Sequence, residues 1–594
     1  MSTVRRRVAG FAAVAIVLAA AQGITSTNAS WLDSEWDHGD VRALQCVGNT
    51  DLSSRATSRM FTGMTGSTEL ETLVGISGLT VTNDGTTTSA VAGTPGAVSL
   101  GADAYDAPLS ATSGGTALRG TSVSVPLDNG VGVYEQWAQA HDTGVSTGAA
   151  GAVTNTGAID TGAIDAGTAP TVGSLALSSL PLVGAPLSGL SDVGLTIGAV
   201  ASSATLDGCS LAWSGGAPSS SQLQRAYSVS TLEAQLSSAA VASLFGATGT
   251  VPTLVSGAQT QLGSLFGTNS TTGTAESGIA ASALTALTSA VTSALGSIHV
   301  AGISVAVGTG GASSTTVLMD LSTVSSLLTG VLVDSAGGVS VDLASGAVTI
   351  DAAKQLPGGL NGQPANTDIL TAAQLATAAS RVGALLNARI TAVNAALLAA
   401  LNAATVTVQA DVTVAATVPI LFPSGVAALN VYMGYTGTIA QFAAGTETVS
   451  GPTVSALPGL GLISGLLSAV TTPLTANLGA GLGVTTSVAA AVFSQAVTPI
   501  TSTAASLLSM ANAAAATTLT ALSGSLAALS SVLSITLNSQ PDRSPSPPFP
   551  VTAPQPNEYF VSALHIGMLD STVSGATSLL SLFLATSSVG PNAQ

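Results

Sequence analysis

Val339-Ser340-Val341-Asp342-Leu343 and Ala347-Val348-Thr349-Ile350 stand on either side of Ala344-Ser345-Gly346. Apolar and polar residues alternate in both arms, which is the period of a strand with one buried face. The short Gly-containing break between them has the composition of a tight turn, so the stretch reads as a β-hairpin. The pattern recurs outward from it. Leu79-Thr80-Val81-Thr82 runs into Asn83-Asp84-Gly85, a turn sequence. Ser122-Val123-Ser124-Val125 and Val131-Gly132-Val133-Tyr134 flank Asp128-Asn129-Gly130, and Asn-Gly between alternating runs is a strong hairpin signal. Thr405 to Val414 alternates with Val406, Val408, Val412 and Val414, the reading of a half-buried strand.

Helical stretches alternate with these strands. Thr371 followed by Gln374 is a capping-box pattern, and Leu375, Val382, Leu386, Ile390, Val393, Leu397 and Leu401 then form one apolar stripe. The spacing predicts a core-facing helix over 371–402. A second is expected over 503–537 from Leu507, Leu508, Leu519, Leu522, Leu526, Leu529 and Leu533. The fold class expected is α+β and mainly β: antiparallel, sandwich-like sheets with hairpins, plus long Ala/Leu/Ser-rich packed helices.

Arg5-Arg6-Arg7, the apolar run Val8 to Ala20 and the small residues after it have the order of a secretory signal, assigned to residues 1–29. Residues 30–540 are read as an exported β-rich surface domain with helical insertions. Residues 541–556, with Pro541, Pro545, Pro547, Pro548, Pro550, Pro554 and Pro556, are read as an extended linker. Residues 557–594 are read as a small C-terminal β unit whose two strands cover Tyr559 to Ile566 and Leu579 to Thr586.

Composition removes whole chemistries. Charged residues are 7% of the 594, with 12 Lys+Arg against 29 Asp+Glu and a net charge of −17, while 46% are apolar and 3% aromatic. Lys354, the only lysine, sits in Ala353-Lys354-Gln355, so no Gly-Lys-Ser/Thr loop is present to hold a nucleotide. No basic cluster beyond Arg5–Arg7 suits nucleic acid. Two cysteines and four scattered histidines offer no zinc spacing. No cofactor, metal or catalytic residue is assigned. Thr448 to Pro541 holds no Asp, Glu, Lys or Arg, but Pro458, Pro473 and Pro499 and many hydroxyls interrupt it. It reads as packed helices, with a membrane-associated or pore-forming protein as the alternative.

Three candidates for chemistry stand out. Gly144-Val145-Ser146-Thr147-Gly148 has the form of a nucleophile elbow with His141 nearby, the basis for an extracellular hydrolase as an alternative. A chain with 66 glycines produces such a match by chance, and the residues after it read as a loop. Asp33, Glu35, Asp37, His38 and Asp40 place carboxylates at alternating positions, candidates for calcium or a solvated acidic strand. Cys46 and Cys209 are the two cysteines, and an oxidising compartment permits their pairing. Thr156-Gly157-Ala158-Ile159-Asp160 is followed by Thr161-Gly162-Ala163-Ile164-Asp165, a repeat of two copies only.

The quoted segments carry a resemblance. Trp31 to Gly39, Thr82-Asn83-Asp84-Gly85 with Leu100 to Leu109, Val339 to Ile350 with Leu360 to Thr367, and Phe560 to Ile566 with Ser587 to Asn592 are similar in order to the blocks of the choice-of-anchor G surface proteins of actinobacteria. That resemblance implies an exported envelope protein of undefined activity; with no catalytic chemistry read in the sequence, the expected function is a non-enzymatic structural or adhesive one, its partner a cell-envelope or matrix component. It brings no catalytic residues. No LPxTG motif or hydrophobic tail is seen near Asn592-Ala593-Gln594, so the expected location is extracellular, secreted or loosely held at the surface.

Peptide mapping of the oxidised protein under non-reducing conditions is expected to recover Cys46 and Cys209 in one linked pair. Reduction is expected to lower stability by about 4–5 kcal/mol at most for so long a loop. Two unlinked thiols would contradict the pairing.

Overall fold

A computed structural model describes residues 52–592, apart from 67, 72–76, 86–89, 111–115, 118–123, 126–132, 177–189, 267–277, 299–303, 419–421, 457–463, 481 and 570–578. Within it the fold is mainly antiparallel β with packed helices, as the alternation patterns require. The opening hairpin forms as read: Val339 pairs with Ile350 and Val341 with Val348. Its turn is held by Asp342, whose Oδ1 accepts the Ala344 N–H at 2.9 Å. Gly346 closes it at φ +73, where a Cβ would lie 2.5 Å from the Ser238 carbonyl oxygen, so only glycine fits.

Two sheets form a sandwich. In the first, strands run in the order Thr367–Asp368, Leu533–Ser539, Tyr559–Met568, Leu580–Val589, Ser54–Thr65, Leu79–Asn83 and Val91–Ala92, with Thr68–Glu69 beside Ser54–Thr65. In the second the order is Leu223–Val229, Val200–Asp207, Val145–Gly151, Val133–Ala140, Ala104–Asp106 and Val98–Gly101. The two face each other through Ser54–Thr65 and Leu580–Val589 on one side and Val133–Ala140, Val145–Gly151 and Val200–Asp207 on the other. Their shared core is built from small residues, Ala56, Ala138, Ala140 and Ala204, filled out by Leu79, Val81, Leu206, Val561 and Val589. Small side chains let the layers approach closely, and buried hydroxyls then satisfy one another across the gap: Ser202 Oγ lies 2.7 Å from Ser587 Oγ.

The first sheet is buried on its other side as well. Ile535, Leu537, Leu564, Ile566, Leu582 and Leu584 join a larger core with Leu195, Leu236, Val348 and Leu375. That core includes a six-stranded sheet containing the 339–350 hairpin, a four-stranded sheet and the helices. Helix Ala372–Ala403 starts at the expected capping box, Thr371 with Gln374, and buries the predicted stripe. It crosses helix Leu482–Leu529 so closely that a Cβ on Gly383 would lie 2.3 Å from Leu519 Cδ2.

Three boundaries differ from the sequence reading. The second helix covers Leu482–Leu529, and Leu533 opens a strand, Leu533–Ser539. Leu533 continues the helical spacing of Leu522, Leu526 and Leu529, but Leu533, Ile535 and Leu537 alternate, and their pairing with Tyr559–Met568 makes them a strand. The terminal strands are not a separate β unit: Tyr559–Met568 and Leu580–Val589 lie in the middle of the first sheet, the latter buried along its whole length. Residues 541–556 are a packed strap rather than a spacer. Thr62 Oγ1 donates to the Pro550 carbonyl at 2.8 Å, and Asn366 Nδ2 donates to the carbonyls of Gln540 and Arg543 at 2.9 and 3.0 Å.

The expected pairing of 122–125 with 131–134 is also replaced. Ser124–Val125 pairs with Thr116–Ala117, while Val133 pairs with Ser110; the turn at 128–130 lies outside the described residues. Residues 1–51 lie outside them too, including the stretch 1–29 read as a signal.

A Cβ on Gly148 would lie 2.6 Å from the Thr57 carbonyl oxygen and 3.0 Å from that of Ser588, both on the opposing sheet. Gly148→Val is therefore expected to destabilise by about 3 kcal/mol, read as a lowered urea midpoint at unchanged slope. An unchanged midpoint would show that the sheets are not in this contact.

Candidate functional site

The serine candidate is a strand residue. Ser146 pairs with Ala140 on one side and Leu206 on the other, is fully buried, and its Oγ has no hydrogen-bond partner among the described residues. There is no strand-to-helix elbow at Ser146: it lies within strand Val145–Gly151, which continues into the sheet. The two glycines of the motif have structural causes, Gly144 a turn at φ +78 and Gly148 the close approach of the sheets. His141 faces Asp103, with Nδ1 3.4 Å from Oδ2. The acidic group Asp33, Glu35, Asp37, His38 and Asp40 lies outside the described residues, as does Cys46. Cys209 sits in helix Gly208–Ser214, and no described cysteine is a free thiol. Among the described residues no group of three or more His, Cys, Asp or Glu is placed to hold a metal. In the Thr156–Asp165 repeat, the Asp160 carboxylate that ends the first copy caps helix Thr161–Asp165, the second, by accepting the Ala163 N–H at 3.0 Å.

Helical stretches Ala239–Gly257 and Ala372–Ala403 have the length and hydropathy to cross a membrane. The apolar stripe of the second is covered by protein. The uncharged segment 448–541 forms strand Thr448–Ala456, helices Ser464–Ala480 and Leu482–Leu529, and strand Leu533–Ser539.

A carboxyl pair lies on the outward face of the second sandwich sheet. Asp106 pairs with Trp137, and Glu135 lies two residues along the same strand. Burial, and then a hydrogen bond and like charge from Asp106, push the Glu135 carboxyl up to about 7.

A second surface of distinct chemistry is the four-stranded sheet, Ser304–Leu318, Thr405–Val418, Phe422–Thr438 and Thr448–Ala456. Alternation sorts its residues. Val406, Val408, Val412, Val414, Val431 and Met433 point inward to a core shared with Leu287 and Val291 of helix Gly278–Gly296. The polar residues between them point outward and fall into rows. Thr316 lies opposite Thr407, Thr407 opposite Thr436, and Thr436 opposite Thr448. The next row is Ser314, Gln409, Gly434 and Ser450, and the one after it Ala312, Asp411, Tyr432 and Thr453. Thr316, Gln409, Thr436, Thr448, Ser450 and Thr453 are exposed.

Asp411 is the single charged residue in these four strands, and its Oδ1 accepts the Ala312 N–H at 3.2 Å. Gly434 lets Tyr432 lie along the sheet: a Cβ there would meet the tyrosine Oη at 2.6 Å. The polar half of the Thr405–Val414 alternation was visible in the sequence. The lateral register that assembles the rows was not, because its members come from strands up to 132 positions apart in numbering, Thr316 to Thr448.

The chain belongs to the family whose model is described as "Domain of unknown function (DUF8394)", which matches residues 56–590. No curated protein and no solved structure matches it.

A carboxyl whose folded-state pKa is raised contributes stability that is present below its unfolded pKa and is lost as pH rises through about 7. The melting temperature difference between wild type and Glu135→Gln is therefore expected to grow in the variant's favour from pH 5 to pH 8. A difference independent of pH would remove the raised acid.

Proposed function

We propose that the chain is an exported, non-enzymatic cell-envelope or secreted protein with a structural or adhesive role. The observation that supports this best is the contrast between its two candidate surfaces. The one serine with a catalytic-looking context is sealed between sheets, whereas a broad, ordered, nearly uncharged hydroxyl face is open to solvent. Such a face suits recognition through shape and many weak hydrogen bonds rather than bond-breaking.

A second feature agrees with surface display. The ends of the family domain leave side by side: Ala56 pairs with Val589, and the Gly590 N–H donates to the Arg55 carbonyl at 2.9 Å. The resemblance to choice-of-anchor G proteins points the same way.

Fractionating the native culture into medium, wall and membrane, with detection by antibody, tests this reading. The protein is expected in the medium or released from the wall by high salt or urea. Recovery in the cytosol, or in membranes resistant to carbonate extraction, would overturn it.

A further inference from the structure

We propose that the outer face of the four-stranded sheet is a docking surface for a neutral polysaccharide, with Tyr432 as its stacking residue. This names the ligand class for the adhesive reading and rests on it. Adjacent strands place side chains about 4.8 Å apart, and alternate residues along a strand about 6.8 Å apart. The rows from Thr316–Thr448 to Thr413–Asn430–Ser455 therefore cover a patch about 20 Å long and about 14 Å wide. A repeating polymer meets repeating hydroxyls and amides on such a patch, and several weak contacts add along one chain.

Charge selects among polymers. The patch holds only Asp411, and the protein carries a net charge of −17. A polyanion is repelled and a polycation finds one carboxylate, so a neutral chain is the complementary partner. Tyr432 adds the apolar element that sugar rings use. Aromatics are 3% of the sequence, and this one is laid along the sheet over Gly434 between Asp411 and Thr453. A side chain at 434 would lift the ring off the surface, so the glycine is part of the site.

Sedimentation with microcrystalline cellulose, chitin and cross-linked dextran, against carboxymethylcellulose beads as the polyanion, tests the assignment on purified protein. At least one neutral polymer is expected to deplete the wild type, with little depletion by the polyanion. Tyr432→Ala is expected to weaken that binding about tenfold. Gly434→Val keeps the tyrosine but displaces it, and is expected to do the same. Val331→Ser, on another sheet, is expected to leave binding unchanged, and circular dichroism checks that all variants are folded. No depletion by any neutral polymer, wild-type binding in both Tyr432→Ala and Gly434→Val, or equal depletion by the polyanion would overturn the assignment. Cytosolic recovery in the fractionation would overturn export while leaving this binding result intact.

Discussion

Strand Leu580–Val589 inserts between Ser54–Thr65 and Tyr559–Met568, and the sandwich closes against the sheet this completes. Without it the first described strand has no partner on that side, and Leu533–Ser539 belongs to a detached edge. One face of the completed sheet closes the sandwich through Ala56 and Val589; the other carries Leu582 and Leu584 into the core that seats the helices. The pairing joins residues more than 500 positions apart. Such closure is slow to find but costs only logarithmically more than a shorter loop.

Two ion pairs bear on this closure. Arg55 meets Glu558 at 3.1 Å, and Ser588 Oγ donates to the same carboxylate at 2.7 Å. Arg225, its side chain nearly buried, holds Asp542 with two contacts at 2.5 and 3.0 Å and donates to the Phe560 carbonyl. These pairs hold the two ends of the proline strap, Asp542 at its start and Glu558 where it meets Tyr559–Met568. Part-buried, hydrogen-bonded pairs of this kind add little net stability, yet removing one partner leaves the other charge uncompensated. Elsewhere hydroxyls take the place of ions, inside as the Ser202–Ser587 contact and outside as the threonine rows. The scarcity of charge is thus one property with two consequences, a closely spaced interior and a neutral outer face.

Local patterns were legible and long-range partners were not. The 339–350 hairpin, the capping box at Thr371 and the valine alternation from Val406 read directly, because turn chemistry and period act within a few residues. Leu533 reads as helix because it follows Leu529 at a helical spacing, although it also opens the alternation Leu533, Ile535, Leu537 that the partner strand selects. The proline run at 541–556 looked like a spacer because nothing in it reveals that Asn366 and Thr62 bind its carbonyls. The same limit applies to function. Gly148 suggested catalysis in sequence, and its cause is a neighbouring sheet; Gly434 suggested nothing, and it shapes the exposed face.

Native-state hydrogen exchange read by mass spectrometry tests the central role of the inserted strand most directly. Amides of Ser54–Thr65, Val145–Gly151 and Leu580–Val589 are predicted to be the slowest and to exchange together, only through global unfolding. Early exchange of Leu580–Val589 with the other two still protected would contradict the account, because the sheet would then stand without the strand said to complete it.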